Sequence, residues 1–148
     1  QKINPSKIFA AGHSIGGSAS FVACGMDRRI SKGINFDGYF FDNDNANYLH
    51  KELLLINADR DRYPKNKTLR SKYECDLAFV KDKVRIEHLS KKSSLKQLVF
   101  QSADHLNFCD FPLIVRPAFG KAIGFIGDVD GRKLLSETSA IAIKFFNE

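Results

Sequence analysis

The stretch Ile8-Phe9-Ala10-Ala11-Gly12-His13-Ser14-Ile15-Gly16-Gly17 decides the fold of this chain. Its first four residues form an apolar run that reads as a buried strand. The small residues after Ser14 read as a helix. Between them Gly12, Ser14 and Gly16 spell Gly-x-Ser-x-Gly, a pattern that a plain glycine-rich turn also gives but that in this strand-to-helix context reads as a nucleophile elbow. Such a turn is so sharp that the serine is held in a strained backbone conformation with its hydroxyl exposed. Glycines at the flanking positions leave room for the turn and for close helix packing. The helix that follows aims its N–H groups and positive dipole end at the site, which favours a developing oxyanion. With glycine at about 7% of an average chain, the pattern arises by chance in roughly 5% of chains of this length. An acid and a histidine later in the chain are therefore needed to give it meaning.

The 148 residues suit one modest domain able to bury a core, and the 43% hydrophobic and 27% charged composition is that of a globular protein. No apolar run reaches the ~18 residues of a membrane span. Gln1 opens the chain without a methionine, so the absence of a leader is uninformative and the compartment stays open. Three cysteines (Cys24, Cys75, Cys109) lack metal-ligand spacing, and their odd number suggests no disulfide framework. Cys24, on the small-residue helix, reads as a buried thiol. Asn66-Lys67-Thr68 matches a glycosylation sequon of little weight. The net charge of +6 is concentrated between Arg60 and Lys96, where twelve Lys or Arg face five Asp or Glu. Such a segment can attract nucleic acid or an anionic membrane. Without an aromatic-interleaved basic motif it reads as a solvated helix and loop, with no nucleic-acid partner.

Hydrophobic patterning predicts strands at Lys7–Ala11, Gly33–Phe36, Glu52–Asn57 and Leu95–Ser102. It predicts helices over Ile15–Met26, from a Thr68 cap to about Lys83, and over Arg132–Phe146. The last is amphipathic, with Leu134, Leu135, Thr138, Ile141, Ala142 and Phe145 at helical spacing. Asp42–Asn47 reads as a polar loop, Val84–Leu89 as strand or loop, and Lys91–Ser94 as a polar break. Strands alternating with helices indicate an α/β architecture with a mostly parallel sheet.

A serine hydroxyl is a weak nucleophile until a histidine takes its proton, and that histidine needs a carboxylate to fix its tautomer. In α/β-hydrolases the chain order is serine, acid, histidine, each on a loop after a strand. Among the four histidines, His13 is too close to serve as the base for Ser14, and His50 precedes a strand. His88 lies in an amphipathic run. His105, just past the fourth strand, stands at the expected position. For the acid, Asp37 follows the second strand, whereas Asp59 and Asp61 follow the third. Pattern alone slightly favours Asp61.

The combination Gly-His-Ser-Ile-Gly-Gly (12–17), Asn-Phe-Asp-Gly-Tyr (35–39) and His-Leu-Asn-Phe-Cys-Asp-Phe (105–111) resembles the plasma and type II platelet-activating-factor acetylhydrolases. The likeness extends to the Ile-Asn…Tyr-Pro segment (56–64) and to Gly-Asp-Val-Asp-Gly (127–131). It implies Ser14 as nucleophile, His105 as base, Asp37 rather than Asp61 as acid, and the Ile15 backbone N–H as an oxyanion donor. Three features depart from the family pattern: Tyr39 where tryptophan is common, a longer and more basic Arg60–Lys96 segment, and Asp104 directly before the histidine. Asp104 would either raise the histidine's pKa or lie exposed.

The resemblance also implies that residues 1–148 form a single partial α/β-hydrolase domain, from the elbow onward. The early strands and the loop giving a second oxyanion N–H would then be absent, and turnover by this stretch alone would be weak. The implied activity is a serine esterase, without metal or cofactor, acting on a phospholipid with a short acyl chain or on a small ester. The alternatives are a small-ester or polyester hydrolase using Asp61, and an inactive or interaction module. Phe119, Ile123, Phe125 and Ile126 can serve transient contact with a membrane or lipoprotein surface, but ordinary core is the stronger expectation for them.

Overall fold

The computed structural model describes residues 4–5, 7–40, 46–58 and 69–148, with side chains throughout except at 69–80. Asp59, Asp61, the Tyr63-Pro64 segment, the Asn66–Thr68 sequon, the Thr68 cap, the Cys75 thiol and most of the 42–47 loop lie outside the described residues.

Four strands, β1 (Ile8–His13), β2 (Ile30–Phe36), β3 (Glu52–Ala58) and β4 (Ser94–Phe100), form one sheet in the order β1-β2-β3-β4. Every neighbouring pair is parallel. Parallel neighbours need a crossover, and helices supply two of them. Helix α1 (Ile15–Met26) joins β1 to β2, and α2 (Leu69–Lys92) leads into β4. A 3-10 turn (His105–Phe108), two short helices, α3 (Phe111–Ile114) and α4 (Pro117–Ala122), and the terminal α5 (Gly131–Asn147) complete the chain.

The apolar run of β3 is buried because both faces of the sheet are covered. Leu53 and Leu55 pack with Phe21 and Cys24 of α1 and Leu89 of α2. Leu54, Ile56 and Ala58 point the other way, into a cluster with Leu134 and Phe145 of α5. Period-two alternation thus feeds one strand into two cores. Replacing a side chain such as Leu55, which is fully buried, by alanine costs about 2–5 kcal/mol.

Helix α5 runs one residue further at each end than its spacing predicts, with the Asp130 carboxylate accepting from Lys133 N at 3.0 Å as its cap. The larger difference lies in α2, which continues through 84–89 to Lys92. Ile86 and Leu89, three residues apart, keep an apolar face on the core beside Leu53 and Leu55, so the helix persists. Lys91 and Lys92 sit in its last turn, where cations suit the dipole. Strand β4 ends at Phe100, two residues before Ser102 turns the chain at φ 63°. The core expectation holds only for Ile126, which is 5% exposed; Phe119, Ile123 and Phe125 lie on the surface of the α3–α4 region. Among the described residues no helix is long and apolar enough to cross a membrane.

Candidate active site

Ser14 occupies the single residue between β1 and α1, at φ 57° and ψ −125°. Left-handed backbone is costly for a residue with a Cβ, so the surroundings must hold it. They do so from both sides. Ser14 N donates to Phe36 O at the end of β2 (2.9 Å), while Ser14 O accepts from Gly17 N and Ser18 N of the starting helix at 3.0 and 3.1 Å. A Cβ on Gly12 would collide with the backbone of Gly16, which is why the strand can turn straight back into the helix. Ile15 is the first residue of α1, where a backbone N–H has no carbonyl four residues back to bond. Its side chain is 73% exposed beside the serine.

Asp37 follows β2 directly, also at positive φ (52°), and is 4% exposed. Its N–H donates to Ile56 O at 2.7 Å, and its Oδ1 accepts from Ala58 N at 2.9 Å. The carboxylate therefore spans the ends of β2 and β3. Asn35, fully buried in β2, braces the same turn, donating to Gly38 O (3.1 Å) and accepting from Gly38 N (2.7 Å). Its side chain has room only because residue 17 is glycine. Ser18 Oγ sits against the carbonyls of Ser14 and Tyr39, linking elbow and acid turn. Helix α2 clamps the next residue: Phe40 N donates to Asp82 Oδ1 (3.3 Å) and Arg85 Nη1 donates to Phe40 O (2.6 Å).

His105 opens the 3-10 turn after β4. Its Nδ1 lies 2.7 Å from Asp37 Oδ2 and its Nε2 lies 3.0 Å from Ser14 Oγ. A carboxylate only accepts, so Nδ1 carries the proton and the Nε2 lone pair faces the serine hydroxyl. Asp104 has a structural role in this turn. Its side chain accepts from His105 N at 2.9 Å, one half of a capping box. Asn107 forms the other half, its Oδ1 accepting from Asp104 N (2.8 Å) and from Gly127 N (2.7 Å).

The structure therefore brings Ser14, Asp37 and His105 into one hydrogen-bonded row, with Ile15 at the helix start beside it. Asn35, Asn107 and His13, which packs against His105, are supporting residues that sequence reasoning missed. Their sequence signals are their places inside the three motifs (12–17, 35–39 and 105–111) and a polar residue inside, or directly adjoining, an apolar segment. Burial, the largest influence, holds the His13 imidazole below its ordinary pKa; its bond to the His105 carbonyl opposes this, and the nearby His105 charge adds to the lowering. Burial also pushes the Cys24 thiol up to about 11, which keeps it protonated in the α1 core. Among the described residues no three His, Cys, Asp or Glu side chains are grouped to hold a metal ion.

A parallel sheet whose first strand breaks at a strained serine into a helix, with an acid and a histidine on later strand ends, is an α/β-hydrolase arrangement. The fold is similar to that of a ferulic acid esterase from Streptomyces cinnamoneus, with a TM-score of 0.69 and 25% sequence identity. That match covers 99% of this chain and 41% of the esterase, so the chain spans well under half of that protein's length. The chain belongs to the family "platelet-activating factor acetylhydrolase, isoform II", whose model matches residues 1–148.

Proposed function

We propose that this chain carries the reacting groups of a serine carboxylic-ester hydrolase acting on phospholipids with a short acyl chain, as platelet-activating factor has. The observation that carries the reading is the row of 3.0 and 2.7 Å contacts joining Ser14 Oγ, His105 and Asp37. In the reaction, His105 Nε2 takes the proton of Ser14 as Oγ attacks the ester carbonyl carbon. The carbonyl oxygen becomes an oxyanion that accepts from the Ile15 N–H at the start of α1. His105 then gives its proton to the departing alkoxide, leaving an acyl-serine. Water attacks that ester with His105 again as base, and as the tetrahedral intermediate collapses His105 returns the proton to Ser14 Oγ, releasing the carboxylic acid. Asp37 holds His105 in the required tautomer and stabilises its imidazolium.

Family membership supports the lipid substrate. So does a group of exposed apolar side chains on α3, α4 and the loop after them: Leu113, Ile114, Phe119, Ile123 and Phe125. Facing a phospholipid surface, they would give the enzyme transient contact with the membrane or lipoprotein that presents its substrate. The likeness to a ferulic acid esterase favours a second reading, a small-ester hydrolase.

The test uses the full-length protein that contains this chain. A fluorophosphonate probe is expected to label Ser14, and labelling elsewhere, or none, would end the esterase reading. Turnover of an acetyl phospholipid analogue well above that of methyl ferulate selects the first substrate class, and the reverse order selects the second.

A further inference from the structure

The histidine in the elbow, His13, is half-buried and reaches the catalytic loop rather than the serine. Its Nε2 lies 2.9 Å from the backbone carbonyl of His105. A carbonyl only accepts, so Nε2 carries the proton and Nδ1 is bare. The two rings lie 4.6 Å apart at a 38° tilt. The bonds around His105 differ in where they lead. Those of Asp104 and Asn107 tie the turn to itself and to Gly127, and Leu106 N donates to Phe125 O at 3.2 Å. All of these stay within residues 104–127. His13 instead connects the turn to β1, the strand that ends in the nucleophile.

We infer that His13 is a positioning residue, which sets the distance between Ser14 and His105 by gripping the His105 main chain from the residue next to the nucleophile. The inference rests on the triad reading above. Consecutive side chains of a strand normally point to opposite faces. Here the turn at Ser14 lets residues 13 and 14 meet the same histidine, one at its carbonyl and one at its Nε2. His105 is thus fixed at two points relative to a single short piece of backbone. His13 does this work as a neutral ring. The ionisable groups acting on it are His105, from the turn after β4, and Asp37, from the turn after β2. A second cation beside His105 would oppose the imidazolium that forms when Ser14 attacks.

The experiment compares His13→Gln, His13→Asn and His13→Phe in the full-length protein. Glutamine places an amide N–H near the position of Nε2, whereas asparagine is too short to reach the carbonyl and phenylalanine has no donor. A misplacement of about 1 Å can cost ~100-fold in rate, so the Asn and Phe variants are expected to lose about 10–100-fold in kcat and in the rate of phosphonylation of Ser14. KM is expected to stay close to the parent value, and glutamine to restore most of the rate. Asparagine and glutamine differ by one methylene and are both polar, so the comparison survives if the phenylalanine variant fails to fold. Parental kcat in the asparagine variant overturns the inference, as does a glutamine variant that is folded but as slow as asparagine. Ser14→Ala separates the two layers. If it retains turnover, the triad reading fails and takes the inference with it; if it is inactive while the His13 variants keep parental rates, only the inference fails.

Discussion

Two regions hold the proposed reacting groups, and they are built differently. The turns after β1 and β2, which carry Ser14 and Asp37, are locked by main-chain hydrogen bonds that continue the sheet register. Ser14 N donates to Phe36 O, and Asp37 N to Ile56 O. The loop after β4, which carries His105, has left the sheet; main-chain bonds such as Leu106 N to Phe125 O and Asp128 N to Ser102 O tie it to the neighbouring loop, and side chains add the rest: Asp104, Asn107 and, from across the site, His13. Ladder bonds are replicated along a strand, so losing one side chain barely moves them. A loop outside the ladder that relies in part on single side chains has less reserve. Serine and acid are therefore placed by the fold, and the histidine in part by a few substitutable residues.

The comparison can be broken most directly at Asp37. Asp37→Asn is expected to lower kcat by about four orders of magnitude, because the amide no longer selects the Nδ1–H tautomer of His105. The thermal midpoint should change little, since an amide oxygen can still accept from Ala58 N. If Asp61→Asn abolishes turnover and Asp37→Asn spares it, the acid lies elsewhere and the comparison collapses.

A sharper contrast comes from the two buried asparagines. Asn107→Ala strands the N–H groups of Asp104 and Gly127, each costing about 1–3 kcal/mol, and frees the histidine loop. A misplaced base predicts a kcat loss of about 10–100-fold in steady-state assays. Asn35→Ala should lower stability by a similar amount, read from urea unfolding, since it strands the Gly38 N–H and O. Its kcat should fall less than that of Asn107→Ala, because Asp37 keeps its bonds to β3. A larger kinetic loss at Asn35 would reverse the contrast.

The smallest effect concerns pH. Burial lowers the folded pKa of His13, so between that value and its unfolded value near 6.5 the unfolded chain binds more protons. This contribution to stability is complete above 6.5 and is lost as pH falls through the window. His13→Gln should flatten the fall of the thermal midpoint on acidification. An unchanged slope would place the acid sensitivity at other groups.

Much of this is legible in the sequence alone. The elbow, the four strands and the terminal helix follow from runs and periodicities that local physics enforces, and the histidine's position follows from chain order. For the proposed acid, only family likeness points to Asp37, since Asp61 also follows a strand. What escaped was whatever depends on distant partners. The continuation of α2 through Val84–Leu89 is set by Ile86 and Leu89 meeting β3. The cap that Asp104 makes on the 3-10 turn is equally hidden, since it depends on where the chain bends after β4. His13 is too close to Ser14 to serve as its base, and its contact with a backbone carbonyl ninety-two positions away leaves no trace in local pattern.

The adjacency of His13 and Ser14 has a mechanical meaning as well. Both attach to His105 from one rigid stub of chain, so a displacement of β1 relative to the rest of the sheet carries both attachments with it. The separation of nucleophile and base is then a difference from which part of the shared motion cancels, much as a balanced circuit damps noise common to its two inputs. Shifts of the strand as a whole then reach the proton-transfer distance through the bond that ties His105 to Asp37 at the end of β2, less directly than motions that bend residues 13 and 14 apart.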